Sequence, residues 1–139
     1  MASLLFYLCI VNVLHQTLDL EHTYLAVRLV ESSGGQDTRS GDGGRAVGEL
    51  QIHPAYVKDV NMILARKGSL LRYTLEDRKD RAKARRMFLE YVTYWPMVYG
   101  YPQTPESWAR THNGGPRGPE KSSTVDYWDK VRTQTIGNR

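Results

Sequence analysis

Glu31 and Asp42 are the two side chains whose positions best suit acid–base chemistry. Glu31 follows the apolar run at residues 26–30 and leads directly into a glycine-rich segment. Apolar neighbours disfavour the charged form of a carboxyl group, and a carboxylic acid that keeps its proton can donate it to a leaving group. Asp42 follows inside the glycine-rich segment, where a hairpin would bring it back to face Glu31. Two carboxyl groups in different environments are what glycoside hydrolysis requires.

Each carboxylate also has an ordinary structural interpretation. Glu31 could be a solvated glutamate at the end of a helix. Asp42 is followed by Gly43, and Asp-Gly is a common turn dipeptide. Asp37 lies in the same segment and competes with Asp42 as the second carboxylate. Spacing alone therefore leaves the pair as a candidate site.

Other catalytic chemistries have little support in the sequence. The four histidines form no His-x-x-x-His pair or comparable metal spacing, and no Gly-x-Ser-x-Gly or phosphate-binding Gly-Lys-Ser/Thr motif is present. We therefore expect no metal site and no cofactor. Cys9 is the only cysteine, which excludes an intrachain disulfide and a cysteine-rich zinc site. Its apolar neighbours predict a small buried side chain.

The composition is that of one globular domain with a basic surface. The chain has 139 residues, of which 40% are hydrophobic and 24% charged, and its formal net charge is +4. Such a charge suits nucleic acid, a membrane surface or an anionic wall polymer. The basic residues crowd positions 78–86, but Asp80 interrupts them and no base-stacking aromatic accompanies them. This cluster predicts a solvated helix face, so nucleic acid is not an expected partner.

The N-terminal segment, residues 1–18, is treated apart from the predicted catalytic domain at residues 19–139. Its apolar part, residues 4–14, is too short to span a bilayer comfortably, so stable membrane insertion is not expected. It lacks an early Lys or Arg and a clear cleavage site. A first core helix is the preferred interpretation, and a secretion signal or weak anchor is the alternative.

The remaining elements predict a mostly α domain of the α+β class, with a glycine-rich hairpin after its first strong helix. Apolar spacing favours a helix over residues 20–32, continuing one from about residue 4, and another from Pro54 to Gly68. Thr74 resembles the start of a capping box for a long helix that Pro96 should end or kink. Shorter helices are predicted over residues 104–111 and after Thr124.

Two motifs near the C-terminus are more specific than the carboxylate spacing. They are His112-Asn113-Gly114-Gly115-Pro116, within residues 109–118, and Tyr127-Trp128-Asp129-Lys130-Val131. Upstream, residues 30–34 read Val-Glu-Ser-Ser-Gly and residues 48–52 read Gly-Glu-Leu-Gln-Ile. Over roughly residues 25–132 the chain closely resembles the invertebrate-type (destabilase-like) lysozymes. The Glu-Ser and Gly-x-x-Gln-Ile pattern also occurs in bacterial lytic transglycosylases.

The resemblance implies a lysozyme-like fold that cleaves the β-1,4 bond between N-acetylmuramic acid and N-acetylglucosamine in peptidoglycan. By matching motifs, Glu31 is the implied general acid. Asp42, which shortly precedes the Gln-Ile segment, is the implied second carboxylate. The sugar-contacting positions that the resemblance implies are Gln51, His53, Tyr56, Tyr91, Tyr94, His112, Asn113, Gly114 and Gly115.

Two departures from the family pattern stand out. Animal members are dense in disulfides, whereas this chain has one cysteine, which suggests a bacterial, phage or otherwise cysteine-free relative stabilised by its core. Glu49 replaces the apolar or small residue that is usual near the cleft, so it is either a second acidic partner or a surface side chain. The isopeptidase activity of some animal members is not expected, because no nucleophilic Ser or Cys paired with a base is evident.

The sequence thus predicts a peptidoglycan hydrolase that acts outside the cell or in the periplasm. A phage-encoded or virion-associated enzyme would need no signal. One alternative is a lytic transglycosylase that uses Glu31 alone and gives 1,6-anhydro products. Another is a non-catalytic wall-binding or virion structural module. The sequence does not indicate an oligomeric state.

Overall fold

The computed structural model describes residues 2–136, and within that range it is mostly helical. The helices are α1 Ala2–Ser32, α2 Pro54–Arg66, α3 Arg81–Tyr99, α4 Pro105–Gly114 and α5 Val125–Ile136. Strand pairing in this range is limited to two antiparallel bridges, Gly41 with Ala46 and Val47 with Ile52. These bridges form a small hairpin between α1 and α2. The predicted fold class, mostly α with one hairpin, is confirmed.

The core lies where the helices meet. The predicted apolar face of α3 is buried at Ala84, Met87, Phe88 and Tyr91, and Trp95 packs partly buried against it. α3 packs against α2 and α4, while α1 packs against α4 and α5. Fully buried side chains come from every helix: Val27, Val60, Phe88, Trp108 and Val131. This shared core fixes the C-terminal end of α1, where Glu31 is located.

The predicted start of α3 was wrong, and the helix does not end at Pro96. The Asp77 carboxylate accepts a hydrogen bond from the Thr74 N–H at 2.8 Å, as in a capping box, but only a short 3-10 turn follows. α3 begins at Arg81, because Asp80 caps it by accepting from the Lys83 N–H at 2.9 Å. Of the two effects predicted for Pro96, the end of the helix does not occur, because α3 continues to Tyr99.

The helix continues through Pro96 for a local reason. Trp95 packs on Tyr91 in the preceding turn and on Tyr99 in the next, so aromatic contacts span the proline. A proline here also removes only one backbone hydrogen bond, close to the helix end. The helix stops at Gly100, which adopts a left-handed conformation with φ 74°.

The first half of α1 does not belong to the core. α1 is continuous from residue 2, yet the side chains over residues 3–10 and 12–19 are exposed, including that of Cys9. The prediction of a buried Cys9 was therefore wrong, because the helix extends past the elements that could cover it. By length and composition this helix is apolar enough to cross a membrane, a test that signal sequences also pass. The exposure does not support the core-helix interpretation of residues 1–18.

Arg78 anchors the hairpin from the 3-10 turn before α3. Its side chain is buried, and Nη1 donates to the carbonyls of Arg45 at 2.9 Å and Ile52 at 3.0 Å. Its Nε donates to the carbonyl of Leu75 at 2.7 Å. The hairpin approaches so closely that a Cβ at Gly48 would lie 2.0 Å from the Arg78 carbonyl oxygen. Only glycine fits there.

Glu49 joins α1 to α3 through two arginines. Its carboxylate accepts from Arg28 Nε at 2.5 Å and from Arg81 Nε at 3.0 Å. Burial raises the pKa of Glu49, but the hydrogen bonds from Arg28 and Arg81 outweigh burial and hold that pKa below its ordinary value. Glu49 is thus a largely buried partner of two cations, and it does not line the cleft described below.

Replacing Arg78 by Met should loosen the hairpin. Methionine has similar length but no donor, so three carbonyl groups lose the hydrogen bond from the guanidinium, at a cost of about 2–3 kcal/mol in the free energy of unfolding. Urea denaturation measures this loss, with Arg86→Met on the exposed face of α3 as the matched control. Equal stability of the two variants would contradict the anchoring role.

Replacing Glu49 by Gln should reduce stability in a pH-dependent way. Because the folded-state pKa of Glu49 is lowered, its contribution is present above the ordinary value of 4.5 and disappears as pH falls through the folded pKa. We expect a loss of about 1.5–3 kcal/mol at pH 7 that shrinks in increasingly acidic buffer. Thermal unfolding across pH tests this, with the exposed Glu76→Gln as control. A loss independent of pH would contradict it.

Candidate active site

Glu31 and Asp42 line the same cleft. Glu31 lies in the last turn of α1, and Asp42 lies in the 3-10 turn of the hairpin. The cleft has a volume of about 180 Å³, and its other lining residues are Gly41, Ala46, Gln51, His53, His112 and Asn113. The predicted carboxylate pair and four of the predicted sugar contacts therefore converge from α1, the hairpin and α4.

The Glu31 carboxyl group is mostly buried and contacts side chains of α4 and α5. Its side chain is 19% exposed, and its Oε1 atom accepts a hydrogen bond from the Tyr127 hydroxyl at 2.8 Å. His112 Nε2 lies 3.6 Å from the same oxygen. Burial, and then the negative charge of Glu31, raise the pKa of Tyr127 well above its ordinary value. Tyr127 therefore remains a protonated donor.

His112 connects Glu31 to the hairpin and to α2. Its side chain is only 3% exposed, with Nε2 3.0 Å from the Leu50 carbonyl oxygen and Nδ1 3.1 Å from the Tyr56 hydroxyl. A carbonyl oxygen can only accept, so this network assigns the hydrogen to Nε2. Burial raises the pKa of Tyr56 well above its ordinary value, so Tyr56 donates to Nδ1. These two contacts fix the orientation of the ring.

Asp42 has a more open environment than Glu31. Its side chain is 51% exposed, and one carboxylate oxygen lies 3.1 Å from Arg45 Nη2 and 3.7 Å from His53 Nε2. Its backbone is in the left-handed region, with φ 50°. Non-glycine residues rarely adopt this conformation, which is tolerated best by Asp and Asn. The backbone at Asp42 is therefore strained, and local backbone strain of this kind is common at functional sites.

Gln51 shapes the hairpin. Its Oε1 accepts from the Gly41 N–H at 3.0 Å, while Nε2 donates to the carbonyls of Gly48 at 2.9 Å and Arg39 at 3.2 Å. Both amide hydrogens and the amide oxygen are therefore used within the hairpin. The resemblance implies a sugar contact at Gln51, but this geometry favours a role in positioning the turn that carries Asp42.

The predicted tyrosine contacts lie outside the cleft lining. Tyr56 and Tyr91 are buried and stacked, with ring centroids 3.6 Å apart, and Tyr56 lies behind His112. Tyr94 lines a different cavity of about 380 Å³, between α1, α3 and α4, and its hydroxyl accepts from Arg66. Gly114 and Gly115 end α4 beside the cleft without lining it. His53 and Asn113 are therefore the predicted sugar contacts best placed for a ligand.

The competing carboxylate, Asp37, forms an ion pair with Arg39 outside the cleft. Both of its oxygens accept from Arg39, at 2.9 and 2.7 Å, and these hydrogen bonds lower the pKa of Asp37 to about 2. It does not line the cleft. Across residues 2–136, no cluster of three or more His, Cys, Asp or Glu side chains is arranged to hold a metal ion.

No pattern in the sequence assigns Tyr127 a role at the site. It lies 96 positions after Glu31 along the chain, so no local spacing connects the two. Tyr127 does begin the Tyr-Trp-x-Lys-Val motif. The sequence alone does not indicate what this motif contributes to the site. The structure accounts for this motif residue by its hydrogen bond to Glu31.

Comparison with known sequences finds related lysozymes from bivalves. A lysozyme from Magallana gigas is 57% identical over 35 residues, or 25% of this chain and 26% of the relative. A lysozyme from Meretrix lusoria is 43% identical over 42 residues, or 30% of this chain and 34% of the relative. The chain thus matches only about a quarter to a third of the length of these relatives. No family model matches the chain.

Solved structures extend the similarity over most of the fold. The complex of Aeromonas hydrophila PliI with Meretrix lusoria lysozyme matches with a TM-score of 0.67 and 26% identity, covering 81% of this chain and 87% of that one. Tapes japonica lysozyme matches with a TM-score of 0.66 and 24% identity, covering 80% and 86%. The resemblance to invertebrate-type lysozymes is confirmed: this chain shares the fold of bivalve lysozymes and part of their sequence.

Proposed function

We propose that this chain is a muramidase that hydrolyses the β-1,4 bond between N-acetylmuramic acid and N-acetylglucosamine. The observation that carries the proposal is the convergence of Glu31 and Asp42 on one cleft, within a fold shared with lysozymes. The two carboxyl groups have different surroundings, since Glu31 is largely covered and Asp42 is half exposed. Such a difference suits one proton donor and one ionised partner.

Glu31 is the general acid in this proposal. Its protonated carboxyl group donates to the glycosidic oxygen while the bond to the anomeric carbon breaks, and the bonding electrons pass to that oxygen. The hydrogen bond from Tyr127 stabilises the carboxylate that remains. The covered position of Glu31 strengthens these interactions, because little water competes with them.

Asp42 is the second carboxylate. It attacks the anomeric carbon or stabilises the positive charge that develops there, and water then completes hydrolysis. The left-handed backbone at Asp42, the Gln51 hydrogen bonds and the Arg78 anchor all support a fixed hairpin. A fixed charge close to the reacting carbon stabilises the transition state without reorganisation.

The substrate and site of action follow from the same proposal. Peptidoglycan is the partner, and the net charge of +4 favours approach to an anionic wall. The enzyme acts outside the cell that makes it. The exposed apolar first half of α1 then serves as a secretion signal, consistent with its position near the N-terminus.

The first test is mass spectrometry of the products released from purified peptidoglycan. The chain should release hydrated, reducing muropeptides, and Glu31→Gln should lower their yield by at least about a hundredfold, because the proton donor is lost. Glu76→Gln, an exposed surface change, is the control. Anhydro products would favour a lytic transglycosylase, and sedimentation with the wall without release would favour a binding module.

The second test separates Asp42 from its competitor in the same loop. Asp42→Asn should lower hydrolysis by about a hundredfold or more, because it removes the charge that faces the anomeric carbon. Asp37→Asn should leave the rate within about twofold, since its ion pair with Arg39 is exposed. Turbidity of a wall suspension measures both rates. Full activity in Asp42→Asn would contradict the role of second carboxylate.

A further inference from the structure

We propose that Tyr127 is a positioning residue that determines which oxygen of Glu31 carries the reactive proton. This inference rests on the proposed role of Glu31 as general acid. Tyr127 belongs to α5 and is remote in sequence from the carboxylate pair, yet its hydroxyl lies 2.8 Å from Glu31 Oε1. The proposal gives a function to the Tyr-Trp-x-Lys-Val motif, which the carboxylate pair alone leaves unexplained.

The direction of the hydrogen bond follows from the surroundings of Tyr127. The ring packs against the core, and across residues 2–136 the hydroxyl has no other hydrogen-bond partner. An O–H group in such a place loses free energy unless it donates, and Glu31 Oε1 is the acceptor within reach. Tyr127 therefore donates to Oε1 whether Glu31 is protonated or ionised.

This donor fixes the roles of the two carboxyl oxygens. A protonated carboxyl group has one hydroxyl oxygen and one carbonyl oxygen, and the oxygen that accepts from Tyr127 is the carbonyl one. His112 Nε2 also approaches Oε1, at 3.6 Å. Across residues 2–136, Oε2 has no hydrogen-bond partner within the protein. The proton thus resides on Oε2 and is available to a ligand in the cleft.

Proton transfer then follows a defined course. The Oε2–H bond breaks as the proton passes to the glycosidic oxygen, which receives the bonding electrons from the anomeric carbon. Negative charge develops on the Glu31 carboxylate, and the bond from Tyr127 becomes charge-assisted and stronger. Tyr127 thereby contributes more to the transition state than to the bound substrate, so its loss should affect kcat more than KM.

Other titratable groups also face Glu31 or share its cleft. His112 from α4 is held in place by Leu50 and Tyr56, and Tyr56 from α2 remains protonated. Asp42 and His53 line the same cleft, on the hairpin and at the start of α2. Tyr127 is the group in direct hydrogen-bond contact with the Glu31 carboxyl, so its removal should produce the largest change in pH dependence.

The test is the pH dependence of kcat/KM for the full chain and Tyr127→Phe on a soluble peptidoglycan fragment. We expect kcat to fall about tenfold or more with KM within about twofold. Without the donor the carboxylate is less stable, so the alkaline limb of the profile should move to higher pH by about one unit. Tyr99→Phe, on an exposed ring at the end of α3, should change neither quantity.

If circular dichroism shows that Tyr127→Phe is misfolded, a second variant tests the proposal. Site-specific 3-fluorotyrosine at position 127 keeps the ring and hydroxyl but is a stronger donor, so the alkaline limb should move to lower pH. Folded variants whose limb does not move would overturn the positioning role. Activity that persists in Glu31→Gln would instead overturn the proposed general acid, so the two failures are distinguishable.

Discussion

The site depends on the hydrogen bonds made by the buried imidazole of His112. The ring receives the Tyr56 hydrogen bond from α2, donates to the Leu50 carbonyl in the hairpin and lies 3.6 Å from Glu31 in α1. A side chain on α4 therefore fixes three other elements relative to one another. A buried polar group of this kind is costly unless every partner is present, so the network favours one arrangement of the cleft.

The hairpin has almost no regular strand structure, so side chains must hold its shape. The Gln51 side chain forms hydrogen bonds with the backbone of the hairpin on both sides of the turn. Arg78, in the turn before α3, donates to carbonyl groups of the hairpin. Its backbone also includes left-handed conformations at Asp42 and Gln51. This arrangement places the less protected carboxylate on a segment rigid enough to direct it. The general acid, by contrast, receives its rigidity from the helical core.

The sequence predicted features governed by local rules. Proline and glycine marked the ends of α2, and apolar spacing identified the buried face of α3 at Met87, Phe88 and Tyr91. The residues Glu31, Asp42, His53, His112 and Asn113 were all expected near the site, and they do line one cleft. Local patterns were sufficient there because motif residues sit at helix ends and in turns.

Features that depend on distant contacts could not be read in this way. A buried arginine looks the same in sequence as a solvated one, so Arg78 was grouped with an exposed basic face. Glu49 was ambiguous because its partners, Arg28 and Arg81, come from two other segments. Tyr56 and Tyr91 were assigned to the sugar surface, but each ring buries the other. Pairings between elements decide these cases, and neither propensity nor spacing encodes them.

The single cysteine makes these polar contacts more important. Without an intrachain disulfide, the chain must join distant segments through native contacts: Glu49 connects α1 to α3, Arg78 holds the hairpin, and His112 joins α4 to it. A disulfide acts largely on the unfolded chain, whereas these contacts stabilise only the folded state. The cleft depends on these polar contacts, so acid that protonates Glu49 weakens the frame that holds Glu31 and Asp42 together.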